Sequence, residues 1–154
     1  MPIYTDPTDN EIAQLTDAGR ELETRRGVDG LAFYFYGWAV GRGGYDPSNV
    51  VKVIPINPAL TALIDQVYPT VGSYNLFTDA NFEYPNSRGI ALTCRIPRGA
   101  YSEWGLGELG IWVKIIDSPI LLEIDTYVLY AVSHFPLKSK TYNSANVRRF
   151  IIQM

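Results

Sequence analysis

Residues 106–116 carry the clearest pattern in the chain. Leu109, Ile111, Val113 and Ile115 alternate with Glu108, Gly110, Trp112 and Lys114. Successive side chains of a strand point to opposite faces, so this period of two predicts a strand with one face in a core. We take it as the central strand of one β-rich domain. Gly107 and Gly110 flank Glu108 and predict a structural bulge or a close backbone approach at the start of that strand. Glu108 is expected to hydrogen-bond backbone amides there. Trp112 and Lys114 face away from the predicted core. Trp is the residue most enriched among binding hot spots, so an outward Trp112 predicts an interface; cover by a helix would instead make it core.

Other segments follow by the same reasoning. Residues 1–8, with Pro2 and Pro7, read as an N-terminal arm ahead of a single domain over residues 9–154. Thr8 and Glu11 have capping-box spacing, and Ile12, Leu15, Ala18, Gly19 and Leu22 recur at helical intervals. A helix is therefore expected over residues 9–26, with Gly27 just past its end. Thr16-Asp17 offers a second N-cap, which would leave only residues 17–26 helical. Residues 31–36 form an aromatic strand, residues 37–49 a glycine-rich loop, and residues 50–54 a short strand. Asn57-Pro58 with Leu60, Leu63, Ile64 and Val67 predicts a second, short amphipathic helix ending near Pro69. Alternating strands are expected at residues 90–96, across 120–130 with a bend near Asp125, and at 147–154. The expected class is α+β, with the N-terminal helix and the second short helix packed on an antiparallel β-sheet or sandwich.

Composition narrows the function. Only 19% of the 154 residues are charged, while eleven Tyr, six Phe and three Trp supply aromatic surface suited to partner contacts. A net charge of −3 argues against a nucleic-acid-binding domain. No apolar run reaches the roughly 18–20 residues that span a bilayer. No secretory signal opens the chain, and one cysteine cannot form an internal disulfide.

Candidate chemistry is sparse. His134 has no second ligand at metal spacing and is expected at the surface or capped. Cys94 falls on the apolar face of its strand and is expected to pack as a small hydrophobe. The run Gly41-Arg42-Gly43-Gly44 has the composition of a phosphate-cradling loop, but no Lys-Ser/Thr follows it and turn geometry explains it better. Glu123 and Asp125 share one strand face at roughly 6–7 Å, a spacing open to glycoside hydrolysis but common on any solvated face. Tyr34, Tyr36 and Trp38, or Tyr101 and Trp104, could stack on sugars or pack in a core. No catalytic residue, cofactor site or metal site is assigned, and no enzyme is expected.

Separated blocks of the sequence share one resemblance. Leu15-Thr16-Asp17-Ala18-Gly19-Arg20, followed by Trp38-Ala39-Val40-Gly41 and a glycine loop ending Tyr45-Asp46-Pro47, resembles the opening of the phage tail-collar fibre family. Leu106-Gly107-Glu108-Leu109-Gly110-Ile111-Trp112 resembles that family's Arg-Glu-Ile-Gly-Leu-Phe segment, and residues 129–136 resemble a later strand ending in proline. The resemblance runs from Leu15 to Met154. It implies the N-terminal attachment domain of a tail fibre, here stopping at Met154 without a fibre shaft. The implied role is a structural virion protein of a bacteriophage tail, an adaptor joining tail fibres to the baseplate or tail in host attachment. It would be assembled in the host cytoplasm, form homo-oligomers within the tail and contact other tail and fibre proteins. Trp112, Lys114, Ile3, Tyr4 and Tyr142 are the expected interface residues. The rival reading is a small carbohydrate-binding module with weak glycan hydrolase ability.

Overall fold

The strand predicted at residues 106–116 lies in the interior of the largest sheet. The computed structural model describes residues 8–78, 81–86, 89–97, 105–117, 127–138 and 146–153. Its elements are β1 (Thr8–Ile12), β2 (Gln14–Leu15), α1 (Asp17–Asp29), β3 (Ala32–Gly41), β4 (Tyr45–Asp46), β5 (Asn49–Val53), β6 (Gln66–Tyr68), β7 (Asn75–Leu76), β8 (Phe82–Asn86), β9 (Gly89–Ile96), β10 (Leu106–Asp117), β11 (Tyr127–Lys138) and β12 (Asn146–Gln153). The central sheet has the order β2-β11-β10-β3-β6, with β7 also paired to β3; a second sheet has the order β1-β12-β9-β8, and β4 and β5 make a ribbon. Every pairing is antiparallel except β1 with β12.

Leu109, Ile111, Val113 and Ile115 share one buried cluster with Leu92, Cys94 and Ile96 of β9, so the two larger sheets enclose a common core. The opposite face of β10 is buried too. Trp112, Ala39, Leu129 and Val132 form a second cluster under Leu63, with Ile56, Leu60 and Tyr74 against it. The central sheet is therefore covered on both faces, on one side by the second sheet and on the other by Ile56, Leu60, Leu63 and Tyr74.

Three expectations are corrected. The class is mostly β, not α+β with two helices: α1 is the one helix among the described residues. The predicted second helix is absent. Asn57 makes only a turn, its side chain accepting Ala59 N and its carbonyl accepting Leu60 N. A helix through residues 58–67 would consume the amides of Ile64 and Asp65 internally; here both donate to Glu108 instead. The first helix begins at Asp17, the alternative the sequence left open, because residues 8–12 pair with β12. Thr16 is its N-cap and Gly30, at φ 71°, its left-handed C-terminal cap, which leaves Gly27 inside the helix.

The glycine-rich loop expected from residue 37 also starts later, since β3 runs on to Gly41. Gly37 and Gly41 stay in the strand where the covering segment presses close. A Cβ on Gly41 would stand 2.4 Å from the Asp65 carbonyl oxygen.

Candidate functional site

The outer face of β10 reads Glu108, Gly110, Trp112, Lys114 from one end to the other, and a distinct neighbourhood lies at each end. At the first end Glu108 is wholly buried. Its Oε1 accepts the amide of Ile64 at 2.6 Å, and its Oε2 accepts those of Gly43 at 2.7 Å and Asp65 at 2.8 Å. The β10–β11 ladder shifts register between Leu106 and Glu108, which puts the bulge at Gly107. The amides that hold the carboxylate come from the segments before and after β4–β5 rather than from the bulge itself. Close approach dictates the surrounding glycines: a Cβ on Gly43 would lie 2.4 Å from Glu108 Oε2, and one on Gly107 2.2 Å from Tyr45 Cδ1. The glycine-rich loop thus does cradle an anion, and the anion is the chain's own Glu108. Gly110 faces a different neighbourhood, within 3.0 Å of Leu63, Trp112 and Leu129 side-chain atoms when a Cβ is placed on it.

Around this clamp the chain builds a recess of about 410 Å³ lined by Tyr45, Pro47, Ile54, Ile64 and the Gly43–Gly44 backbone. Arg42 pairs with Asp65 at its rim, 3.1 Å apart and both half exposed. His134 sits opposite Glu108 on β11, buried, with Nδ1 2.8 Å from the Ile54 carbonyl oxygen. That contact ties the end of β5 to the central sheet. The β4–β5 turn is closed by Asp46, which accepts the Ser48 hydroxyl and amide; these bonds hold its carboxyl below the usual range. The ribbon so fixed presents Val50, Val51 and Val53 to solvent beside Ile54 and Ile64, with Val51 73% exposed. Val51 and Val53 share one face of β5, an exposed aliphatic pair.

Lys114 marks the other end, amid tyrosines. Tyr36 and Tyr127 lie 4.6 Å apart between ring centroids, and Tyr74 stands 6.0 Å and 6.1 Å from them. Tyr74 rests 4.8 Å from Trp112, and Lys114 Nζ lies 5.5 Å from the Tyr127 ring centroid. The Tyr36 phenol is pushed above its ordinary range by a hydrogen bond to Tyr127 and by the neighbouring phenols. Trp112 itself is only 4% exposed. Its placement as an outward-facing interface residue is corrected: the segment carrying Leu63 and Tyr74 covers it and makes it core. Lys114 is half-buried at the edge of the tyrosine group.

No protein-family model, curated protein or solved structure matches the chain. What the site can do is therefore read from its geometry. The described residues contain no cluster of His, Cys, Asp and Glu that could hold a metal. Burial lifts the Cys94 thiol well above its ordinary range, which removes the thiolate a nucleophile needs. Trp38 is buried in the core, while Tyr34 stays exposed and Tyr36 lines the tyrosine recess. Ile3, Tyr4, Tyr101, Trp104, Glu123, Asp125 and Tyr142 lie outside the described residues. Sequence reasoning missed Tyr74, Tyr127 and the Ile64–Asp65 amides. The alternation that put Trp112 and Lys114 on one face extends to Tyr34, which pairs with Lys114 across β3; nothing local marks Tyr74 or Tyr127.

Proposed function

We propose that this chain is a structural protein of a phage tail, an adaptor that joins fibres to the tail or baseplate. One observation carries the reading. The separated blocks that resemble the tail-collar fibre family meet one another in space. Thr16 and Gly19 of the first block pack on Leu129 and Tyr130 of the last, the Thr16 hydroxyl donating to the Leu129 carbonyl at 2.6 Å. Residues 38–41 pair with residues 108–111, and the glycine loop that follows holds Glu108. A rigid β domain with an exposed aliphatic ribbon beside a recess also supplies what an adaptor needs, a pre-formed docking surface.

In this reading the Val50–Ile64 patch meets the neighbouring tail subunit, and the protein acts in the virion after assembly in the host cytoplasm. Immunogold labelling of purified particles from a phage that encodes the chain tests it. Gold at the tail is the expected result. Particles that lack the chain while keeping a complete tail would overturn the proposal.

A further inference from the structure

We infer that the recess framed by Tyr36, Tyr74 and Tyr127 binds a saccharide. The inference does not depend on the tail reading. The three phenol rings line an open hollow of about 610 Å³ whose remaining walls are Gly72, Ser73 and Leu76. That volume lies in the range of small-ligand sites and takes one or two pyranose rings. A pyranose has a face of polarised C–H bonds and a rim of hydroxyls. An aromatic ring offers its negative face to the first, and a phenol offers a donor and an acceptor to the second. Here both are supplied at once by the same side chains.

Rigidity favours binding at this place. Tyr36 and Tyr127 fix each other through ring contact, their centroids 4.6 Å apart. Tyr74 is backed by the buried Trp112. A ligand therefore meets rings already in position and spends little rotamer freedom on ordering them. The chemistry also separates this hollow from the aliphatic ribbon. Val50, Val51, Val53, Ile54 and Ile64 offer a protein partner apolar area with few hydroxyls, whereas the tyrosine recess is concave and hydroxyl-rimmed. A nucleotide would need several cations for its phosphates; the described residues that line the hollow include none.

An array of immobilised oligosaccharides screened with the full chain, followed by saturation-transfer NMR with the methyl glycoside of each retained sugar, tests the inference. Binding by the wild type is expected, with Tyr127→Ala reducing it at least tenfold and Tyr36→Phe reducing it by less. Val51→Asp, on the ribbon, is expected to leave it unchanged. Chemical-shift changes in the wild type on addition of the sugar are expected at the Tyr36, Tyr74 and Tyr127 rings, a readout that holds even if a variant misfolds. The inference fails if the wild type retains no sugar, or if shifts map away from these rings. Binding of an aromatic peptide at the recess with no sugar bound would overturn it in favour of a protein ligand.

Discussion

Thr16 and Leu129 are 113 positions apart and joined by a 2.6 Å hydrogen bond from hydroxyl to carbonyl oxygen. The same hydroxyl accepts the Gly19 amide at 3.0 Å, so one buried atom both caps α1 and pins it to β11. Gly19 and Leu22 are the buried residues of the helix, and Glu23 adds a second tie to β11 by accepting the Tyr130 hydroxyl at 2.6 Å. Thr16→Val is expected to lower stability by about 1–2 kcal/mol, with the acceptor at Leu129 and the donor at Gly19 both left without this partner. Thr16→Ser should retain most of it. Urea denaturation of the two variants checks the difference.

Glu108→Ala is expected to be far more damaging. Three amides lose their acceptor in a part-buried site, at about 1–3 kcal/mol for each group left unsatisfied. Against a total stability of roughly 5–15 kcal/mol for a domain, the variant should be barely folded or unfolded. Glu108→Gln keeps one acceptor oxygen and should fall between the two. A melting temperature of the Ala variant equal to that of the wild type would remove the clamp as a structural centre.

Two glycines give opposite predictions for the same substitution. Gly107→Ala places a Cβ 2.4 Å from the Gly43 carbonyl oxygen, which is backbone and cannot step aside, so it is expected to destabilise the fold and loosen the Glu108 site. Gly27→Ala meets nothing within 4 Å and replaces a flexible residue inside a helix. It should stabilise by about 0.5–1 kcal/mol. Thermal melts of both variants should move in opposite directions.

How far these positions were legible in the sequence depended on the range of the interaction. The β10 alternation is a local pattern, and Leu109, Ile111, Val113 and Ile115 do share one core face. Trp112 was misread because its cover comes from residues far away in sequence, Leu63 and Tyr74, which no local pattern links to β10. Leu60 and Leu63, read as the apolar stripe of a helix, are that cover. Thr8 and Thr16 both carried helix-start chemistry. What separated them is a tertiary partner, the β11 carbonyl for Thr16 and the β12 ladder for residues 8–12. The carboxylate clamp was half legible: glycines around a glutamate signalled close backbone, but not which backbone.

Tyr130 gives the stability a defined alkaline limb. Its phenol is buried and donates to Glu23 Oε1 at 2.6 Å; burial first, then that bond and the Glu23 charge, push its pKa well above the ordinary value near 10. Below pH 10 folded and unfolded chains both keep the proton, so this group adds no pH dependence. Above pH 10 the unfolded chain loses the proton first, and stability falls as pH rises. Tyr130→Phe is expected to flatten part of that fall, at the expense of a hydrogen bond at neutral pH. Urea midpoints from pH 8 to 11 measure both effects.

The aliphatic ribbon predicts a solution behaviour. Val51 projects from β5 into solvent with 73% of its surface accessible, and Ile64 is 53% exposed across the recess. Val51→Asp alone should leave the stability within about 0.5 kcal/mol of wild type, since this side chain does not support the core. The same variant should lose self-association or partner capture in analytical ultracentrifugation and in tail incorporation.

Finally, the parallel pairing of β1 with β12 governs the order in which the protein can be made. Thr8 lies beside Val147 and Ile12 beside Ile151, so this ladder joins segments 139 positions apart. Closing so long a loop costs entropy that only the finished ladder returns, and topologies of this kind fold slowly. On a ribosome, residues 8–12 emerge before the strand they pair with has been synthesised. Throughout that interval they are an unpaired edge, able to add to the β12 of another copy before their own arrives. Crowded synthesis of many copies would therefore favour strand exchange at this seam above any other in the fold.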